Sequence, residues 1–443
     1  MPAPMGRGFA RALVFGSSAA VLVLEILAGR LLAPYIGVSL ETFTGIIGVV
    51  LAGIAVGAWG GGALADQHDA RSLIGVTLVL GGVLAWLALP IVRALGPQFG
   101  DGPAAIVLLT TAAFFLPSAV LTAVSPMVAK LRLSSLEETG AIVGGLSAAG
   151  TLGALAGTFV TGFVLVAAMP TRPIVLLVGL LCVVGGAVTH WHLTRTAPTV
   201  AAVLLVIVGA GVSAPVGPPC DHETGYSCVT IEVDPDNASG RSLILDRSRH
   251  AYVDLDDPTS HDIRYIRLFT QVAEALPAGP LDSLHVGGGG FSFPRHLQAV
   301  RPGSSDLVLE IDDELVRIVE DDLGLELSDS LQVRTGDARL ALDDLDADAF
   351  DLVVGDAFAG MAVPWHLTTR EFLREIDRVL RPDGLYVANI IDGGSNRFAR
   401  AELATLREVF AHLAVIVPPG GVALDRQVNQ VFVASQSPIP ALT

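Results

Sequence analysis

Apolar residues run in seven long stretches through the first half of the chain, at roughly 12–34, 42–64, 73–95, 104–128, 140–168, 173–193 and 198–216, with short polar connections between them. A helix needs about 20 such residues to cross a hydrocarbon core, so the pattern predicts a helical membrane domain of about seven spans over residues 1–216. The first stretch follows Arg7 and Arg11 but runs on too far for the core of a cleaved signal peptide, and it reads as a retained anchor. Past residue 217 the period changes. Strand-like segments at 228–233, 242–246 and 251–255, broken by the turn-rich run Asp234–Gly240, predict a small β subdomain over 217–280. From Leu281 to the C-terminus, short apolar strands (283–286, 306–311, 331–335, 350–354 and 384–391) alternate with amphipathic segments such as 313–323, 368–380 and 397–413. Buried strands alternating with helices predict a parallel sheet covered on both faces, a doubly wound Rossmann-like α/β domain over 281–443.

Charge sharpens this division. Residues 1–216 hold nine Lys+Arg and seven Asp+Glu, whereas residues 217–443 hold eighteen and thirty-seven. A surface so poor in charge lacks the polar cover that water requires, which puts the first half in the lipid bilayer. The acidic second half is the wrong sign for phosphate, so nucleic acid is not an expected partner, while a cationic small molecule suits the field. Lys and Arg concentrate on the cytoplasmic side of membrane proteins. With the N-terminus inside, the inner loops hold Arg7, Arg11, Arg71, Lys130, Arg132 and Arg195 against Arg93 and Arg172 outside, with Arg30 near that outer face. Seven spans then place the acidic domain outside, where Cys220 and Cys228 are free to pair, but a cytoplasmic cofactor requirement argues the other way. Sidedness stays open at this stage, and Cys182, inside a span, reads as packing.

Two further features of the spans matter. The pairs Gly53/Gly57 and Gly153/Gly157 have the small-xxx-small spacing that lets helix backbones approach. Glu25 and Arg30 are ionisable groups within the first span, five residues apart and so on different faces; the expectation is that Arg30 snorkels to the interface and Glu25 bonds a neighbouring helix, the alternative being a substrate-access role.

Ligands of doubly wound sheets bind beyond the carboxyl ends of the strands. Gly287, Gly288, Gly289 and Gly290 follow the first strand, where missing side chains allow a nucleoside to reach the backbone. Glu310 ends the second strand, placed to accept ribose hydroxyls. Asp337 and Ala338 follow the third, with Asp337 placed to accept an adenine amino group, and Asp356 ends the fourth. Since Phe291–Pro294 replaces the later glycines of a Gly-x-Gly-x-x-Gly fingerprint, a dinucleotide is disfavoured. No zinc-ligand spacing, nucleophile elbow or Gly-Lys-Ser/Thr phosphate loop is present, and His190 and His192 read as interfacial anchors; no metal is expected.

The run from Val286 through Leu309–Asp312, Gly336–Ala338, Phe350–Asp356 and Leu380–Gly384, with Leu243–Asp246 and Asp256–Asp262 upstream, resembles the spermidine synthase (polyamine aminopropyltransferase) family. Leu24–Arg30 and Gly60–Asp66 resemble the membrane portion of its bacterial fused form. The resemblance implies decarboxylated S-adenosylmethionine as co-substrate and a polyamine or other amine as acceptor, with Asp356 as the catalytic acid, Glu310 and Asp337 as ribose and adenine ligands, and His261 and Asp262 in the polyamine site. A homodimer is possible for such a protein. The chain departs from the family pattern at Gly290 and Ala359, where acids are expected, and at Tyr226–Ser227 in place of Tyr-Gln; Asp256, Asp257 and His250 are candidates to substitute. Two alternatives share the same pocket: a methyltransferase using intact S-adenosylmethionine, and a non-catalytic sensor or transporter that binds polyamines or nucleosides.

Overall fold

A computed structural model describes residues 5–100, 102–133, 138–197, 200–358, 360, 362–417 and 427–441, and divides the chain into two compact units, Met1–Cys228 and Val229–Thr443. The first unit is helical. Among the described residues six helices are long and apolar enough to cross a membrane: α1 (Arg7–Ile36), α2 (Leu40–Gln67), α3 (Ala70–Leu95), a kinked α4 (Pro103–Arg132), α5 (Thr139–Ala168) and α6 (Thr171–Thr194). The seventh expected span is a shorter helix, α7 (Val200–Ser213), of 14 residues. At 1.5 Å per residue it covers about 21 Å, less than the roughly 30 Å of a hydrocarbon core.

Glycines set the helix contacts. A Cβ on Gly57 would lie 2.0 Å from the Ala119 carbonyl oxygen of α4, and one on Gly153 would lie 2.1 Å from that of Phe15 in α1. Only hydrogen fits in those seams, as the small-residue spacing predicts. Helix α7 lies along α3: Gly209 faces Val83, and the Ser213 hydroxyl donates to the Trp86 carbonyl at 2.9 Å. Beyond it, Arg172 at the start of α6 donates to Ala214 O.

Arg30 has partners that the sequence alone did not suggest. Its guanidinium donates to Thr171, to the carbonyls of Thr224 and Gly225, and to Glu223, whose carboxylate stands 3.3 Å away. The Thr171 backbone N–H also donates to Glu223 at 3.1 Å. The stretch carrying Glu223 is closed by a Cys220–Cys228 disulfide, and Cys182 is free and buried. The expected bond from Glu25 to a neighbouring helix is absent among the described residues.

The second unit opens with an antiparallel meander, β1 (Cys228–Asp234), β2 (Asn237–Leu245) and β3 (Ser248–Asp254). Its apolar face, Val229, Leu243, Ala251 and Val253, packs on Phe291, Val308, Val316 and Val319. Helix α8 (Arg264–Ala275) leads into a seven-stranded sheet built from β4 (Asp282–Val286), β5 (Ser305–Glu310), β6 (Leu331–Thr335), β7 (Phe350–Gly355), β8 (Leu380–Asp392), β9 (His412–Ile416) and β10 (Val428–Ser435), in the order β9-β10-β8-β7-β4-β5-β6. Strands β4 to β8 pair in parallel, whereas β9 and β10 add antiparallel partners at one edge.

Alternation along β7 decides what covers the sheet. Leu352 and Val354 point to one face, against Ile266, Phe269 and Val272 of α8 and Phe293 and Leu297 of α9 (Ser292–Val300). Val353 points to the other, against Phe372, Leu373 and Ile376 of α10 (Arg370–Val379) and Leu406 of α11 (Arg397–Arg407). The parallel-rich Rossmann architecture is the one the sequence pattern implies. Three elements differ. Helix α8 lies within the region read as all β, the expected helix 397–413 ends at Arg407, and its tail becomes the antiparallel strand β9. A short apolar run such as His412–Ile416 does not declare helix or strand by period alone; its pairing with β10 decides it.

Candidate active site

The carboxyl ends of β4, β5, β6 and β7 are brought level by backbone bonds one residue beyond the strands. Gly287 N–H donates to Leu309 O at 2.9 Å, Asp356 N–H to Val286 O at 2.9 Å, and Gly336 N–H to Glu310 O at 2.8 Å. Gly287 has φ +99° and a Cβ there would sit 2.6 Å from the Asp356 carbonyl oxygen, so no other residue permits this approach.

Two cavities meet at Asp356. The larger, of about 130 Å3, is lined by Gly287, Gly289, Glu310, Asp337, Ala338 and His366 among others. The smaller, of about 60 Å3, lies on the other side, against Gly287 to Gly290, His250, Tyr265, Phe269, Phe293 and Phe358. Four of the strand-end groups singled out from sequence thus share one cavity.

Glu310 is buried, and its two oxygens are aimed by backbone donors: Gly288 N–H at 2.8 Å and Gly289 N–H at 3.4 Å to one, Asp312 N–H at 3.0 Å to the other. A carboxylate oxygen retains a second acceptor site, so Glu310 can still take a ligand hydroxyl. Asp337 uses one oxygen to cap the short helix after β6, accepting from Arg339 N–H at 2.9 Å and Leu340 N–H at 3.3 Å. Its other oxygen is 3.2 Å from His366 Nε2.

Asp356 accepts hydrogen bonds from the Tyr265 hydroxyl and from Asn389 Nδ2, each at 2.9 Å. Burial pushes its carboxyl up to about 7, against the downward pull of the Asn389 and Tyr265 bonds. Burial also raises the Tyr265 phenol well above its usual value, so it remains a donor, and holds the His250 imidazole down to about 4, so it is neutral. A carboxyl poised near neutrality is suited to accept a proton from a reacting group.

His261 and Asp262 line neither cavity. The His261 ring packs at 4.6 Å on that of His296, and Asp262 is exposed and paired with Arg249 at 2.6 Å, so the substrate-site role expected for them has no geometric support. Of the three candidate substitutes only His250 reaches the cavities. Asp256 and Asp257 belong to a turn in which Asp254 accepts both of their N–H groups, and Asp257 in turn accepts from Thr259. Ala359 lies outside the described residues. The residues that sequence reasoning missed are Tyr265, Asn389 and His366. Among the described residues no group of three His, Cys, Asp or Glu is arranged to hold a metal.

Residues 284–388 match the methyltransferase domain family. The chain is 36% identical over 129 residues, 29% of its length, to the polyamine aminopropyltransferase of Vibrio vulnificus, and it spans only 42% of that protein. Among solved structures it is similar to a probable spermidine synthase from Corynebacterium glutamicum, at 31% identity and a TM-score of 0.46 over 48% of this chain and 78% of the other. It is also similar to human methyltransferase-like protein 13, crystallised with SAH, at 21% identity and a TM-score of 0.35 over 40% of this chain and 83% of the other.

Proposed function

We propose that the chain is a membrane-anchored aminopropyltransferase of the spermidine synthase type, taking decarboxylated S-adenosylmethionine as aminopropyl donor and an amine as acceptor. The observation that carries this reading is Asp356, a carboxyl poised near neutrality at the junction of a cavity lined by Glu310 and Asp337 and a second, smaller one. Glu310 would hold the ribose, and Asp337 and Ala338 would edge the base. The sulfonium supplies an activated carbon. The acceptor nitrogen forms a bond to that carbon, the carbon–sulfur bond breaks with its electron pair passing to sulfur, and Asp356 takes the proton the nitrogen sheds. Tyr265 and Asn389 keep Asp356 in place. The likeness to the Vibrio aminopropyltransferase supports the same chemistry.

The test is release of 5′-methylthioadenosine by the purified full-length protein from decarboxylated S-adenosylmethionine and an amine, with Asp356→Asn as the control. The variant should lose roughly 10²- to 10⁴-fold in turnover, the usual contribution of a general base, while still binding the thioether product. Undiminished turnover would reject the assignment. The match of residues 284–388 to methyltransferases keeps intact S-adenosylmethionine as a second donor. Tighter binding of the intact than of the decarboxylated nucleoside would favour methyl transfer.

The first unit supports anchoring with its catalytic half outside the cytoplasm. Helix α7 is short, but it runs beside α3 from near Gly75 to Trp86, and Glu223 then meets Arg30 near the end of α1, so the chain emerges at the end opposite to residue 7. Arg7, Arg11, Arg71, Lys130, Arg132 and Arg195 fall on the side of the connections where the chain starts, and the tendency of such residues to stay inside supports a cytoplasmic N-terminus. A disulfide at the opposite end is consistent with an oxidising compartment. In intact cells a C-terminal tag should react with an impermeant reagent; protection of the tag until lysis would reverse the sidedness.

A further inference from the structure

Polyamine acceptors carry two or more ammonium groups, and a site for them needs a counter-charge for each one it desolvates. The smaller cavity beside Asp356 supplies one. Its walls are His250, Tyr265, Phe269, Phe293 and Phe358, and among the described lining residues Asp356 is the single carboxylate. The aromatic walls are fixed by their own packing, with Phe269 edge-on to both Tyr265 and Phe293 at ring separations of 5.4 and 5.5 Å.

Position 290 shows that the missing acid is excluded by shape. A Cβ built on Gly290 would lie 2.6 Å from the Ala251 Cβ and 3.3 Å from a Val253 methyl, because β3 is packed down on the glycine turn. Ala251 and Val253 belong to the core that binds the small sheet to Phe291 and Val308, so making room for a carboxylate there would require lifting β3 off that core. The charge of this cavity is therefore limited to that of Asp356. An ammonium beside Asp356 is matched by one carboxylate, and the walls around it are largely aromatic. A second ammonium on the same molecule would find no second carboxylate among the described lining residues.

We propose that the smaller cavity is selective for an amine carrying one positive charge on an apolar body, a monoamine, and discriminates against α,ω-diamines and longer polyamines. This deepens the transferase reading above and rests on it for the identity of the acceptor side.

The test uses 1-aminobutane and 1,4-diaminobutane, which differ by one ammonium group. Each is titrated by calorimetry into the full-length protein in detergent, loaded with 5′-methylthioadenosine. The monoamine should bind at least about tenfold more tightly, a difference of roughly 1.4 kcal/mol. Equal or tighter binding of the diamine, or failure of both amines to bind, overturns the proposal. Release of 5′-methylthioadenosine from decarboxylated S-adenosylmethionine is followed separately. A preserved monoamine preference without release would sink the transferase reading and leave the selectivity standing; release with a diamine preference would do the reverse. His250→Glu adds a second carboxylate to the wall and should narrow the gap between the two amines, whereas an unchanged preference in the folded variant counts against the charge argument.

Discussion

The Tyr265 hydroxyl donates to Asp356 Oδ2 at 2.9 Å, a bond between residues 91 positions apart that ties helix α8 to the end of strand β7. It stabilises the ionised carboxyl that burial opposes. Tyr265→Phe removes that stabilisation, so the Asp356 carboxyl should rise further, by up to about one pH unit for a typical hydrogen bond. The acidic limb of the kcat/KM–pH profile should move to higher pH by that amount. A limb that stays fixed would show that Asp356 does not control the profile.

Asp356 also leaves a signature in stability. Its native carboxyl titrates near 7, above the ordinary 3.8, so between those values the folded state holds a proton that the unfolded chain releases. The carboxyl therefore opposes folding fully above about 7 and hardly at all below about 4. Asp356→Asn cannot ionise and should raise the Tm of the second unit at pH 8 while leaving it nearly unchanged at pH 4. A shift equal at both pH values would contradict the raised carboxyl.

Helix glycines predict opposite signs for the same substitution. A Cβ on Gly57 meets the Ala119 carbonyl oxygen at 2.0 Å, whereas one on Gly60 meets nothing within 4 Å. Gly57→Ala should destabilise the detergent-solubilised protein by about 1–3 kcal/mol, the usual cost of overpacking, and Gly60→Ala should be neutral or slightly stabilising. Thermal midpoints measured side by side decide it.

The Arg30–Glu223 pair is mostly enclosed, with side chains 19% and 11% exposed. Removing one member strands the other, which costs about 3–5 kcal/mol for fully buried pairs and less at this exposure. Glu223→Ala and Arg30→Ala should each lower the thermal midpoint, and the double variant should lose less than the two combined. Additive losses would show that the two groups do not act together.

Much of the second unit was legible in the sequence because its chemistry lies where strands stop. Gly287, Glu310, Asp337 and Asp356 each end or follow an apolar run, and a doubly wound sheet brings such ends to one rim. Tyr265 and Asn389 carry no such mark. One comes from a helix face, and the other lies one residue beyond the β7–β8 pair Gly355–Ala388, so only assembly puts them beside Asp356. The acidic run 256–262 has a local explanation. Asp254 and Asp257 accept backbone N–H groups within their own turn, so acids that resemble amine ligands are turn formers here. The partners of Arg30 could not be read from the sequence because they lie 141 to 195 positions downstream, outside any window in which spacing is informative.

That separation of 193 residues between Arg30 and Glu223 has a bearing on biogenesis. The first helix is made long before the carboxylate that matches its arginine leaves the ribosome, so the pair can close only after residue 223 has been added. Completion of the helical unit then waits on the last few residues before the second unit, and a chain interrupted ahead of position 223 would be left with an unlatched bundle.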